Sequence, residues 1–171
     1  MVELGKTNIT FASWITLSRL ISIPIVLGLL TWQDSFNTRL WSAIFFGLAA
    51  LTDWLDGYVA RHWNQESDLG KVLDPLVDKL VILAPMIMLV ELHQLPAWAV
   101  FLIVARELLI TLWRAPSATA ASIWGKLKTT GQIVAILALL LQIPYGIFLF
   151  WLAFALTIFS GLNYVFPVHQ S

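Results

Sequence analysis

Residues 38–61 read T-R-L-W-S-A-I-F-F-G-L-A-A-L-T-D-W-L-D-G-Y-V-A-R. From Leu40 to Leu51 the run carries no charge, and then Asp53 and Asp56 enter it. A hydrophobic run of about 20 residues is what a helix needs to cross a bilayer core. Carboxylates inside such a run are costly and by default mark a functional site. Thirteen residues separate Leu40 from Asp53. At about 1.5 Å per residue that is roughly 20 Å along a helix axis, against a hydrocarbon core about 30 Å thick. The two acids therefore belong to the third of the membrane nearest one surface and face a polar cavity rather than lipid.

The rest of the chain supports that reading. Charged residues make up 12% of its 171 residues and hydrophobic residues 59%, whereas soluble domains carry about 25% charge. Nine Trp suit the interfacial belts of a bilayer. A formal net charge of +0 offers no basic surface for nucleic acid, and the absence of Cys excludes disulfides, thiolate metal sites and a Cys nucleophile. The first apolar stretch lacks a small-residue cleavage site, so it is expected to be retained as a helix.

Six apolar runs are legible: about Phe11–Trp32, Thr38–Arg61, Val72–Leu92, Pro96–Arg114, Gly125–Gln142 and Tyr145–Phe166. Pro96, Pro116, Pro144 with Gly146, and Pro167 punctuate them. The expected fold is an all-α integral membrane protein, a six-transmembrane-helix bundle forming one domain over 1–171. A short polar N-terminal segment, up to about Thr10, is expected to lie along the membrane surface. With six spans both termini share a side, which would hold Lys6, Arg61, Lys71, Arg114, Lys126 and Lys128. The opposite loops hold Arg39 beside Asp34, Glu91 and His93. The positive-inside rule puts the termini and the acids on the cytoplasmic face of a multi-pass cytoplasmic-membrane protein.

Downstream of the quoted stretch comes G-K-V-L-D-P-L-V-D, residues 70–78. Asp53 and Asp56 are three apart, and Asp74 and Asp78 four apart, so each pair shares a helix face. A short connection predicts that the second and third helices pack as an antiparallel pair, letting all four carboxylates converge. Four anions in a partly desolvated pocket need cations, and an all-oxygen donor set points to Mg²⁺ or Mn²⁺. Two such ions roughly 3.5–4 Å apart clamp displacements at phosphorus. Gly57, Ala60 and Gly70 remove side-chain bulk near the acids, and Arg61 supplies a planar fork for a phosphate oxygen. Taken singly, a small residue here would equally serve as a helix-packing notch.

Together these positions, D-x2-D-G-x2-A-R-x8-G-x3-D-x3-D, resemble the signature of the CDP-alcohol phosphatidyltransferases, matched by Asp53, Asp56, Gly57, Ala60, Arg61, Gly70, Asp74 and Asp78. The resemblance implies six transmembrane helices, a homodimer, and transfer of a phosphatidyl or related group from a CDP-linked donor to an alcohol. It implies that Asp53, Asp56, Asp74 and Asp78 ligate two metal ions, that Asp78 is also the general base, and that Gly57, Ala60, Arg61 and Gly70 shape the cytidine-diphosphate pocket. Direct in-line attack on the β-phosphorus, without a covalent enzyme intermediate, is the expected chemistry.

The acceptor is read from other residues. Arg106 lies inside the fourth apolar run, where a charge wants a partner; the adjacent Glu107 could be that partner or could pair elsewhere in the bundle. Arg114 closes that run, and Lys126 and Lys128 open the fifth. For Arg114, Lys126 and Lys128, positive-inside topology or snorkelling to lipid headgroups is the competing explanation. A basic pocket beside a metal site points to an acceptor that itself carries a phosphate. The segments A-R-E-L-L-I, G-K-L-K-T-T and I-T-L-S-R followed by I-P resemble the phosphatidylglycerophosphate synthase branch of the family. By that likeness CDP-diacylglycerol is the donor and glycerol 3-phosphate the acceptor. Thr16 and Arg19 match the branch's N-terminal pattern without an assigned role. An inositol-phosphate or phosphatidylglycerol acceptor is the alternative within the family. A metal-gated transporter or channel is the alternative outside it, but it would spread polar residues across the bilayer, and here the acids occupy one depth.

Overall fold

The computed structural model describes residues 11–63, 68–113 and 123–165, with side chains described over 19–52, 76–110 and 125–161. These residues form six helices and no strand: α1 Phe11–Trp32, α2 Phe36–Trp63, α3 Asp68–Glu91, α4 Ala97–Trp113, α5 Ile123–Leu140 and α6 Gly146–Val165. The six apolar runs and the six helices correspond one to one. The N-terminal segment up to Thr10 lies outside the described residues. Among the described residues, no helix is long and apolar enough to cross a membrane.

Local chemistry accounts for the helix ends. Helix α2 starts two residues before Thr38 because Ser35 caps it. The Ser35 hydroxyl accepts from the Thr38 N–H at 3.3 Å, and the Thr38 hydroxyl accepts from the Ser35 N–H at 3.1 Å. This is a reciprocal capping box with Thr in place of Glu or Gln. Helices α3 and α5 both end in a Schellman turn built without glycine. His93 (φ 56°) and Gln142 (φ 54°) take the left-handed conformation. Gln94 N–H then reaches the Leu89 carbonyl at 2.9 Å, and Ile143 N–H the Ala138 carbonyl at 2.8 Å. Pro96 and Pro144 follow shortly after each turn. Gly146 opens α6 where the chain doubles back onto α5. A Cβ there would come within 3.2 Å of the Ala138 and Leu139 backbone, so only glycine fits without a shift.

The α5–α6 hairpin is the most extensive helix pair, and α1 packs against both α2 and α3. Among the described residues α1 touches each of those helices more extensively than they touch each other. Helix α1 is thus seated against both α2 and α3, which also touch each other. The core is apolar, with Phe46, Met86, Leu89, Ile103, Ile136, Leu140 and Phe150 essentially without solvent contact. Each such side chain contributes about 2 kcal/mol through burial.

The end of the bundle near residues 33–35, 92–96 and 141–145 is tied by one buried cation. Arg39, 3% exposed, donates from Nε and Nη2 to the Asp34 carboxylate, the second bond at 2.7 Å. With its amide oriented to suit its neighbours, Gln94 accepts from Arg39 and donates to the Leu139 carbonyl at 3.3 Å. The Arg39 guanidinium also holds the Asp34 carboxyl below the usual carboxylate range, chiefly through that hydrogen bond. Trp98, Trp151 and Phe154 stack near the same end, with Trp98 5.6 Å from Trp151 and edge-on to Phe154 at 5.8 Å.

Candidate active site

The other half of the bundle carries the polar chemistry. Consecutive helices joined by short links alternate in direction, so the N-terminal ends of α1, α3 and α5 lie beside the C-terminal ends of α2, α4 and α6. Arg19 is eight residues into α1, Asp78 ten into α3, Lys128 five into α5, and Arg106 seven before the end of α4. At about 1.5 Å per residue all four lie roughly 8–15 Å from the same end.

Arg19 and Asp78 meet directly. Arg19 Nη1 donates to Asp78 Oδ1 at 2.5 Å, across 59 residues of sequence. The Arg19 side chain is 5% exposed and that of Asp78 40% exposed. The guanidinium is therefore enclosed while the carboxylate still faces an opening. Arg19 also lines a cavity of about 160 Å³ with Ser22 of α1 and Phe45, Leu48, Ala49 and Thr52 of α2. Thr52 is the last residue of α2 in this lining, one position before Asp53 in the sequence.

A second cluster joins α4, α5 and α6. One oxygen of the buried Glu107 carboxylate accepts from Lys128 Nζ at 2.5 Å and from Arg106 Nη1 at 2.9 Å. Arg106 Nη2 donates to the Ser160 hydroxyl at 2.9 Å. The Arg106 Nε is buried and has no hydrogen-bond partner among the described residues. Gly161 makes room for this side chain: a Cβ there would lie 3.1 Å from Arg106 Nε and 3.2 Å from its Cγ. One turn deeper, Gln132 Nε2 donates to the Thr157 hydroxyl at 3.0 Å, and the Thr157 hydroxyl donates to the Ala153 carbonyl at 2.7 Å. Lys79, beside Asp78 on α3, lies close enough to act electrostatically on Lys128, as Arg106 does. Two cations against one carboxylate leave the Arg106–Glu107–Lys128 group with a net positive charge suited to an anion.

The other sequence-derived site residues fall as follows. Asp53, Asp56, Gly57, Ala60 and Arg61 lie within α2, and Gly70 and Asp74 within α3; their side chains lie outside the described ones. Thr16 lies in α1 on the same terms, and Arg114 lies outside the described residues altogether. Lys126 is exposed on α5, whereas Lys128 points inward. Among the described residues no three His, Cys, Asp or Glu side chains converge on a metal position. Asp78 is the one carboxylate of the signature whose side chain is described, and it offers oxygen alone, as a hard cation requires.

Sequence reasoning left Arg19 without a role and passed over Ser160, Gly161, Gln132 and Thr157. Arg19 was visible as a charge inside an apolar run. The four α5 and α6 positions gave weaker signals, being small or uncharged residues that gain meaning through their neighbours across the bundle.

The profile of the CDP-alcohol phosphatidyltransferase family matches residues 9–159 of the chain. A Bacillus subtilis (strain 168) protein is 38% identical over 174 residues, an alignment covering 88% of this chain and 90% of the relative. Proteins of Salmonella choleraesuis (strain SC-B67) and Escherichia coli (strain K12) are each 37% identical, with the same 88% and 90% coverage. All three relatives are named CDP-diacylglycerol–glycerol-3-phosphate 3-phosphatidyltransferase.

Proposed function

The chain belongs to the CDP-alcohol phosphatidyltransferase family, and from that premise we propose that it transfers the phosphatidyl group of CDP-diacylglycerol to sn-glycerol 3-phosphate. The products are phosphatidylglycerophosphate and CMP. The observation that carries this reading is the 37–38% identity to relatives of that name across 88% of the chain. The Arg106–Glu107–Lys128 cluster supports a phosphorylated acceptor, because a net positive, largely buried group at the depth of Asp78 suits a small anion better than a neutral alcohol. Lys126 and Arg114 would add charge at its mouth.

A membrane setting fits the outward surface. The helices run 17 to 28 residues, or roughly 26–42 Å at about 1.5 Å per residue. Their outer faces expose large apolar side chains, including Ile21, Leu48, Ile87, Phe101, Leu109 and Phe148, which water disfavours and lipid accepts. Trp32, Trp41, Trp98 and Tyr145 are exposed near the end that Arg39 ties, where an aromatic belt would sit. We read the chain as a single domain of six membrane-spanning helices in a homodimer, with its termini and acids facing the cytoplasm.

The metal requirement rests on the donor set. Asp53, Asp56, Asp74 and Asp78 would hold two Mg²⁺ or Mn²⁺ ions. When bound, these ions would offset the charge of the donor diphosphate and of departing CMP. Asp78 takes the proton of the acceptor hydroxyl, whose oxygen attacks the β-phosphorus. The new phosphorus–oxygen bond forms as the bond to the CMP oxygen breaks. Arg61, with room left by Gly57, Ala60 and Gly70, steadies the cytidine diphosphate. Arg106 and Lys128 hold the acceptor phosphate, which aims its hydroxyl at the donor.

The test is CMP release from purified protein given CDP-diacylglycerol, Mg²⁺ and each candidate acceptor in turn. Release with glycerol 3-phosphate alone is the expected result. Release with an inositol phosphate or phosphatidylglycerol instead would move the acceptor to another branch of the family. Chelation should stop turnover, with Mg²⁺ or Mn²⁺ restoring it and Ca²⁺ doing so poorly. Undiminished activity in excess chelator would argue against the metal reading.

A further inference from the structure

We propose that Arg19 is a positioning residue for Asp78, holding one carboxylate oxygen so that the other faces the reacting groups. The inference rests on the proposed function, since it assigns Arg19 a part in the proton transfer given there to Asp78. Three observations carry it. Arg19 Nη1 lies 2.5 Å from Asp78 Oδ1, with the guanidinium 5% and the carboxylate 40% exposed. One oxygen is thus engaged from the protein side while the group as a whole keeps an open face. Helix α1 packs against both α2 and α3 and brings Arg19 between the two helices that carry the four acids. The same side chain lines a cavity with Phe45, Leu48, Ala49 and Thr52 of α2, so it touches the helix that carries Asp53 and Asp56 as well as the one that carries Asp78.

Charge explains why an arginine suits the position. Four carboxylates on neighbouring helices repel one another, and a guanidinium stays protonated at any pH the protein meets. Arg19 therefore offsets part of that repulsion, whether or not the acids are loaded. An enclosed donor on one oxygen also restricts the carboxylate rotamer, as partners behind a catalytic or ligating group do elsewhere. A lysine could keep the charge but not the planar geometry.

The experiment compares wild type, R19Q, R19K, D78N and R19Q/D78N in CMP release with CDP-diacylglycerol and glycerol 3-phosphate, alongside Mn²⁺ binding followed by electron paramagnetic resonance. A supporting partner of this kind predicts a fall in kcat of about 10- to 100-fold for R19Q. KM for both substrates should stay close to wild type, and Mn²⁺ affinity should fall by less than in D78N, because Arg19 acts on one ligand from behind rather than binding the ion. R19K should recover part of the loss, and R19Q/D78N should be no slower than D78N, because residues acting as one unit are not additive. If R19Q does not purify as a folded, monodisperse protein, R19K and R19K/D78N carry the same comparison. Unchanged kcat overturns the inference. So does a rise in acceptor KM at constant kcat, which would make Arg19 a substrate contact. Loss of Mn²⁺ binding as complete as in D78N also overturns it. A wild-type protein that releases no CMP with any acceptor overturns the proposed function instead, so the two failures are told apart.

Discussion

Oxygen Oε1 of Glu107 accepts from Lys128 at 2.5 Å and from Arg106 at 2.9 Å, and so sets what the cluster around it can bind. Without that carboxylate a buried and a half-buried cation would face each other, and with it they are held as neighbours carrying one surplus charge. Arg106 keeps a buried Nε that no described group satisfies. Arg106→Ala should therefore raise KM for glycerol 3-phosphate by about tenfold, the worth of one charge-assisted hydrogen bond, with a smaller change for the donor. Equal effects on both substrates, read from initial rates, would count against a role in acceptor binding. At Asp78 the expectation concerns turnover. Asp78→Asn should lower kcat by about 10²–10⁴-fold, the usual contribution of a general base, while donor binding measured by calorimetry stays largely intact. The site was unevenly legible at this scale. Asp78 and Arg106 stood out as charges in apolar runs, and Glu107 was foreseen as a partner for Arg106. That Glu107 also takes Lys128, 21 residues away, depends on how α4 and α5 pack. The pairing of Arg19 with Asp78 likewise belongs to tertiary structure and has no local signature.

At the scale of the element, hydrophobic length and proline punctuation placed all six helices, because a run of apolar residues bounded by breakers has few other ways to bury its backbone. The ends were harder. The Ser35–Thr38 capping box starts α2 two residues before the apolar run, since a cap uses side-chain oxygens that hydropathy does not weigh. The ends of α3 and α5 were placed within a residue or two, yet nothing marked their left-handed turns, because His93 and Gln142 occupy a position that usually goes to glycine. A side chain in that conformation costs about 1 kcal/mol. Gln142→Gly should accordingly stabilise the protein by up to about 1 kcal/mol, visible as a higher thermal midpoint in detergent. A lower midpoint would mean that the Gln142 side chain makes a contact worth more than the strain it carries.

At the scale of the whole molecule, the two ends of the bundle are built differently. One holds the acids and the basic cluster. The other is bound by Arg39, which reaches Asp34 in the α1–α2 link and Gln94 in the α3–α4 link, with Gln94 passing the contact on to Leu139 of α5. Asp34→Asn should cost at most about 1 kcal/mol, because Asp34 is 45% exposed and water screens the pair, and should leave the acceptor and donor KM values unchanged because the site is at the far end. The same pair gives a pH dependence. The Asp34 carboxyl sits below its ordinary value in the folded protein, so its contribution is present above the unfolded carboxylate pKa and is lost as pH falls through the lowered one. Acid unfolding of the wild type should therefore show a component missing from Asp34→Asn. Coincident acid transitions in the two proteins would remove this assignment.

The Arg39 tie also has a mechanical consequence. Arg39 fixes the spacing of the α1–α2 and α3–α4 links at one end, and at the other the helices meet through Arg19 with Asp78 and through Glu107 with Lys128, so charged contacts at both ends resist the sliding of one apolar helix face past another.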